Sequence, residues 1–407
     1  MSDTAPALSL ASPEAAQWNK DLIQAFQAAL EKDPAQSYAG KINLQTLNEL
    51  HDNLTPDPEI NLLSIFPKNY TRRITMATGP RIILPQETSE IQGPPEFRTR
   101  LDLAHTATIV FPLSGKVTAL LEPYPKEDNS LTRSLKHLLW NSPRVWEDPS
   151  RGIVVKCSDH IIAKVVTGNK DYTEYTSIQY LAEYMADIIP VPEPHGLIAF
   201  EPFRVIFMEF IPGVTLARAW PDMTHDEKRG VQSQLDTIFR RLRNVQPRDG
   251  ISLGGVAGEG VKELRVDECS SFKGIMTATE FSNLQFSARH YGSTTYVKLL
   301  CSLLGQDSSS LDQALVFTHG DIRPDNIIVK QDTENDTNNS GYSISGVIDW
   351  EYSGFYPAYY ESTALTRTMG VVEEDDWYLY LPDCISPSRF PVRWLVDRLW
   401  GIHLRTT

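Results

Sequence analysis

Positive charge is the first thing this sequence is short of. Against 52 acidic residues it sets 38 lysines and arginines, a formal net charge of −14. A nucleic-acid backbone is gripped mainly by lysine and arginine, so no nucleic-acid partner is expected. Cysteine is equally scarce. Cys157, Cys269, Cys301 and Cys384 are scattered with no C-x-x-C pair, which indicates neither a zinc site nor a disulfide framework and suits a reducing compartment. No apolar run approaches the length of a membrane span, and the first residues show neither a signal-peptide core nor an arginine-rich transit pattern. A cytoplasmic protein without membrane contact is the expectation. Missing too is a complete Walker loop: Ser114-Gly115-Lys116-Val117 lacks both the earlier glycine and the following Ser or Thr. What remains is 41% hydrophobic and 22% charged over 407 residues, a soluble globular composition with length for two or three core-bearing units.

The chemistry concentrates in THGDIRPDNIIV, Thr318 to Val329, and in GVIDWE, Gly346 to Glu351. Asp321 and Asn326 stand five apart with a proline between them and a β-branched run after them, which reads as a stiffened loop entering a strand. That strand runs from Ile327 to Lys330 before the polar loop Gln331–Gly341, and Tyr342 to Ile348 comes back. If the two runs pair as a hairpin, Asp349, leaving the return strand, lies beside Asn326, entering the outgoing one. Two carboxylates and an amide then meet at one spot. Such oxygen donors suit magnesium held between one or two carboxylates and nucleotide phosphates. Asn326 and Asp349 would hold the metal, and Asp321 would orient and deprotonate an acceptor hydroxyl. Singly, each residue is also an ordinary turn former. Gly320 permits the bend of the loop, and His319 packs or hydrogen-bonds backbone.

HGDIRPDN followed by IDW resembles the catalytic and metal-binding signature of the aminoglycoside phosphotransferase family, the small-molecule branch of the protein-kinase-like fold. More narrowly, THGDIRPDNIIV with IDWEYSGFYPAYYE is similar to predicted phosphotransferases of fungi. The resemblance is most specific at residues 318 to 362 and extends back to about 150. It implies an α+β, protein-kinase-like bilobal fold: an N-terminal extension of uncertain fold over 1–135, a small antiparallel-sheet lobe with one helix over 136–208, and a larger helical lobe over 209–407. It implies ATP and Mg2+ as cofactors, and ATP-dependent phosphorylation of a small molecule's hydroxyl group. HGD in place of HRD, IDW in place of DFG and the lack of an APE segment set the chain apart from protein kinases.

By the same resemblance Lys164, in the strand IIAKV, holds the α- and β-phosphates, and Glu174 on the following helix pairs with it. Lys156 competes for the lysine role. Arg323 joins Asp321 in the catalytic set, at a position where many protein kinases carry a lysine near the γ-phosphate; a surface ion pair is its other reading. Backbone groups of Glu209 and Ile211, at the hinge after the strand Arg204–Phe210, bind the adenine edge. One departure stands out: Asp148-Pro149-Ser150-Arg151-Gly152, where a glycine-rich phosphate loop belongs, has a single glycine. It favours the alternative of a non-catalytic kinase-like binding or accessory protein.

Elsewhere the patterns are structural. Ser12-Pro13-Glu14 opens a helix with a stripe of Trp18, Leu22, Phe26 and Leu30. Strands are expected at 106–112 and 116–121, a short helix from Leu131 to Trp140, an antiparallel pair at 153–156 and 161–166, and a helix from Asp171 to Met185. Thr224-His225-Asp226-Glu227 is a capping box that starts a helix with Val231, Leu235, Phe239 and Leu242 on one face. The run Gly254–Gly260, GGVAGEG, has no following lysine and reads as a flexible loop. Helices are expected near Glu280 and from Tyr296 to Leu304, with a short set of helices after Glu361. In the family the acceptor pocket lies beyond the IDW strand. Glu351, Glu361 and the run Glu373-Glu374-Asp375-Asp376 would make it acidic and suited to a cationic acceptor, unless the run is only a helix start.

Overall fold

The computed structural model describes residues 38–55, most of 57–70, and from 96 onward all but 122–129, 150, 169–170, 186–188, 249–252, 291, 306–313, 333–340, 371–375 and 407, with a few isolated positions nearer the N-terminus. The chain falls into two compact units, Met1–Ile91 and Gln92–Thr407. In the first, helix α1 (Tyr38–Leu54) buries Leu50 and Leu54 against Ile60, Leu62 and Ile65. The stripe of Trp18, Leu22, Phe26 and Leu30 lies outside the described residues.

The second unit opens with a six-stranded antiparallel sheet: β1 (Thr106–Phe111), β2 (Arg144–Asp148), β3 (Gly152–Lys156), β4 (Ile161–Thr167), β5 (Pro194–Glu201) and β6 (Phe203–Glu209), in the order β1-β5-β6-β4-β3-β2. Its central strands are apolar on both faces, because both are covered. In β6, Val205 and Phe207 face one core with Phe97, Leu101, Val117, Leu135 and Leu139, while Ile206 and Met208 face another with Ile178 and Leu181, the two-residue alternation of a strand. The first cover is helices α2 (Gly115–Leu121) and α3 (Ser130–Asn141); the second includes α4 (Thr173–Met185). Two expectations change here. Residues 116–121 form α2 instead of a strand, because Val117 and Leu121, four apart, are buried together and β1 pairs with the distant β5. And β1, α2 and the start of α3 all precede residue 136 yet pack with the sheet, which needs them to cover its outer face.

After β6 the chain passes through 210–213 into the short β7 (Val214–Thr215) and the turn α5 (Leu216–Ala219). Helix α6 (His225–Leu242) follows, started by the reciprocal capping box of Thr224 and Glu227, with Val231, Leu235, Phe239 and Leu242 all buried. The hairpin β8 (Val261–Glu263) and β9 (Asp267–Phe272) then leads to α7 (Ala278–Gln285) and α8 (Thr294–Gly305). Strand β10 (Leu315–Thr318) pairs with β13 (Gly354–Pro357), and between them lies the hairpin of β11 (Ile327–Gln331) and β12 (Tyr342–Val347). The chain continues through α9 (Tyr360–Ala364) and three 3-10 turns to α10 (Pro391–Thr406). Among the described residues no helix is long and apolar enough to cross a membrane.

Candidate active site

The hairpin delivers the juxtaposition its sequence called for. Ile327 faces Val347 across β11 and β12, and the Ile348 N–H donates to the Asn326 carbonyl at 2.9 Å, so Asp349 emerges beside Asn326. Pro324–Asn326 is a single 3-10 turn, its fixed proline closing the loop before the strand begins. Asn326 is buried, and its Nδ2 donates to the Asp321 carbonyl at 2.8 Å and to Asp321 Oδ2 at 3.2 Å. With the amide nitrogen spent on Asp321, Oδ1 is the atom left for a ligand. Asp349 is held at φ 68°, a left-handed conformation that costs a non-glycine residue about 1–3 kcal/mol and persists where the surroundings enforce it.

Lys164, on β4, closes the site from the sheet lobe. Its Nζ lies 2.5 Å from Asp349 Oδ1, 2.8 Å from Glu174 Oε2 and 3.7 Å from Glu351 Oε2. Burial pulls the Lys164 pKa down, but Asp349, Glu174 and Glu351 more than offset it, so the pKa is raised and the ammonium stays charged. Lys164 thus faces three acids, and two of them meet a second cation at longer range, Glu351 from Arg151 at 3.7 Å and Asp349 from Arg323 at 3.9 Å. Burial, against the pull of Lys164, raises the pKa of Glu174, with Asp349 and Glu351 adding to the rise. Burial also acts to raise Asp349, but Lys164 overcomes it and holds that carboxylate below its ordinary range. Lys156, the competing lysine, is instead paired with Asp159 at 2.9 Å and lies over the ring of Phe210.

Asp321 has a different setting. Burial pushes its carboxyl up to about 6, with Asp349 adding to the rise and Arg323 and the Asn326 amide opposing it. Arg323 spans the two acids: Nε is 3.4 Å from Asp321 Oδ2 and Nη2 is 3.9 Å from Asp349 Oδ2. Its buried Nε makes no hydrogen bond among the described residues. At the hinge, the Glu209 N–H donates to the Glu193 carbonyl at 2.9 Å, while the Glu193 N–H goes to the Glu209 carboxylate at 3.2 Å. The Glu209 carbonyl is thereby left out of that pairing, and Ile211 follows two residues on, packed by its side chain against Gly346.

Glu361, Arg151 and Glu351 make contacts around the site that the sequence did not reveal. Glu361, on α9, is buried and accepts the backbone N–H of His319 at 2.6 Å and of Gly320 at 3.1 Å. It fastens the loop that carries Asp321. Burial nevertheless pushes its carboxyl up to about 7, against those two donors. Arg151, in the turn between β2 and β3, reaches Glu351 at 3.7 Å, and Glu351 in turn faces Lys164. These contacts engage three of the six acids expected to line an acidic acceptor cleft. Glu361 lies beneath the loop, Glu351 faces two cations, and Asp376 is held by Lys228 at 2.8 Å and by the Trp220 indole N–H at 2.7 Å. Glu373, Glu374 and Asp375 lie outside the described residues. His319 is a structural part: Nε2–H donates to the Ile348 carbonyl at 3.0 Å, Nδ1 accepts the Asp321 N–H at 3.2 Å, and burial lowers its pKa to about 4.

The acceptor atoms gathered around the Lys164 ammonium are all oxygens. Glu174, Asp349 and Glu351 bring carboxylate oxygens within 4.8 Å of one another, and Asn326 adds an amide, a donor set that fits a hard divalent ion such as Mg2+ and offers nothing to a thiophilic one. The model of the phosphotransferase enzyme family matches residues 172–380, just over half of the 407-residue chain. The chain belongs to that family, and its second unit has the α+β character expected, a six-stranded antiparallel sheet covered by α2, α3 and α4 followed by a larger part of helices and short strand pairs. Similar solved structures include aminoglycoside phosphotransferase APH(4)-Ia in a ternary complex with AMP-PNP and hygromycin B, at 16% identity, 64% of this chain and 83% of that one, and TM-score 0.42. Others are the streptomycin–ATP complex of APH(2'')-IIa, at 11% identity, 69% and 88% coverage and TM-score 0.43, and APH(3'')-Id from Streptomyces rimosus, at 16%, 67%, 97% and 0.39. No curated protein matches the chain significantly.

Proposed function

We propose that this chain is an ATP-dependent phosphotransferase acting on a hydroxyl group of a small molecule. One observation carries the proposal: Lys164 and Glu174 of the sheet lobe and Asp349 of the helical lobe close into one ion-paired cluster, beside Asp321 and Asn326. A structural ion pair needs one acid, whereas this lysine faces three. A divalent ion among these acids would supply the further positive charge that bound phosphates require.

In the proposed reaction Lys164 binds the α- and β-phosphates, with Glu174 fixing the ammonium. Asn326 Oδ1 and Asp349 would hold Mg2+, whose charge, when bound, offsets that of the phosphate oxygens. Backbone groups of Glu209 and Ile211 receive the adenine edge. The acceptor hydroxyl oxygen forms a bond to the γ-phosphorus as the bond from that phosphorus to the β,γ-bridging oxygen breaks. ADP leaves, and the hydroxyl proton passes to Asp321, whose carboxyl near 6 is poised for that transfer at neutral pH. Arg323, between Asp321 and Asp349, is placed to meet charge on the transferring group.

Incubating the protein with Mg-ATP and a pool of hydroxylated metabolites, and following the pool by mass spectrometry, tests this. The expected result is ATP-dependent appearance of a species heavier by one phosphoryl group, absent with Asp321→Asn. ATP binding with no phosphorylated product and no ADP formed would favour a non-catalytic binding protein.

A further inference from the structure

The glycine-rich run Gly254–Gly260 has no place in the chemistry so far, yet it is tied to both halves of the site. Gly254 exchanges two backbone hydrogen bonds of 2.8 Å with Phe355, six residues beyond Asp349. Its φ of 101°, and a Cβ position that would meet the Gly260 carbonyl carbon at 2.3 Å, restrict the position to glycine. The Ala257 N–H donates to Glu259 Oε2 at 2.8 Å, which orients that side chain. Its other oxygen then accepts the Thr176 hydroxyl, on the first turn of α4, at 2.5 Å.

Lys262, just after the run and 9% exposed, makes the second tie. Nζ donates to Asp171 Oδ2 at 2.7 Å and to the Glu351 carbonyl at 2.5 Å. Asp171 Oδ1 in turn accepts the N–H and hydroxyl of Thr173, the first residue of α4. One ammonium therefore bridges the start of the helix that carries Glu174 and the backbone two residues past Asp349. Glu174 and Asp349 are the two closest acids on Lys164.

We propose that Lys262 and Glu259, presented by the glycine-rich run, are positioning residues of the nucleotide site. They brace α4 against the segment behind Asp349 and so keep Glu174 and Asp349 together on Lys164. This rests on the phosphotransferase function proposed above. Displacement of a reacting constellation by a small distance lowers rate more than affinity, so loss of the brace should act mainly on kcat.

The test is the full chain with Lys262→Met, Lys262→Arg and Thr176→Val, the last a near-isosteric change that keeps the proposal testable if Lys262→Met does not fold. The readouts are Mg-ATP binding by calorimetry, kcat and KM for ATP from ADP release, and amide hydrogen exchange of α4 in the nucleotide-free protein. Expected are faster exchange at residues 173–178, a tenfold or greater fall in kcat with KM for ATP within about threefold, and recovery of both in Lys262→Arg, which can still bridge the two acceptors. Unchanged kcat and exchange in Lys262→Met and Thr176→Val overturn the proposal, as does an equal loss in Lys262→Met and Lys262→Arg. A parent protein that neither binds Mg-ATP nor forms ADP overturns the proposed function, and the positioning role with it. A parent that does both while the variants match it overturns the positioning role alone.

Discussion

Gly320→Ala isolates the geometry of the loop that carries Asp321. Gly320 has a φ of 85°, and a Cβ built there would lie 2.5 Å from the Tyr352 carbonyl oxygen. A left-handed conformation costs a non-glycine residue about 1–3 kcal/mol. Relief of a clash with backbone costs about 1–3 kcal/mol more. The reduced freedom of the unfolded chain returns about 0.4–1 kcal/mol, so the net destabilisation should be about 1–6 kcal/mol. The next residue is Asp321, and a displacement of about 1 Å there should cost about 10² in kcat. Gly230→Ala is the matched control. Gly230 lies within α6 with nothing within 4 Å of its Cβ position, so the same change should stabilise by about 0.5–1 kcal/mol and leave kcat alone. Urea unfolding midpoints and ADP-release rates of both variants supply the comparison. If Gly320→Ala unfolds at the parental urea concentration and turns over at the parental rate, the claim that this glycine sets the position of Asp321 is wrong.

Three further expectations follow from the charges. Asp321 must be ionised to accept a proton, so kcat/KM should fall about tenfold per pH unit below about 6; a flat profile between pH 7 and 5 contradicts this. Because its pKa is higher folded than unfolded, the folded state holds a proton that the unfolded chain has released between about pH 4 and 6. Stability then declines as pH rises through that window, and Asp321→Asn should be up to about 3 kcal/mol more stable than the parent at pH 7 while transferring phosphate about 10² or more slower. Lys164→Ala strips the cation from three acids and should cost about 3–5 kcal/mol of stability and nearly all turnover, whereas Lys156→Ala, at a surface pair, should leave kcat within about twofold; the reverse pattern would mean that the wrong strand lysine has been chosen.

The parts of the site that could be inferred from sequence are those joined by short-range structure. Asn326 and Asp349 meet because one hairpin connects them, and pairing geometry alone brings its ends together. Lys164 and Glu174 meet because a strand is followed at once by the helix packed on it. Glu361 was read as an acid of the acceptor pocket instead of a fastener of the loop, since it acts on backbone N–H groups 41 and 42 residues away, which leave no residue-type signature. Lys262 and Glu259 were hidden for a similar reason: the glycines that present them identify a tight loop and say nothing of what it approaches. In the fold, α2 was mistaken for a strand because its seven residues are too few for a helical period to stand out. The covered outer face of the sheet accounts for residues 97–121 and 130–135 only once β1 is seen to pair with β5.

Magnesium-dependent nucleotide binding at Asp349 is the property on which the proposed phosphoryl transfer depends most directly. Calorimetric titration of ATP into the full chain, with Mg2+ and with chelator, should show tighter binding with the ion. Asp349→Ala should erase most of that difference. Equal ATP affinity with and without Mg2+ in the parent protein, or an undiminished magnesium effect in Asp349→Ala, would contradict it.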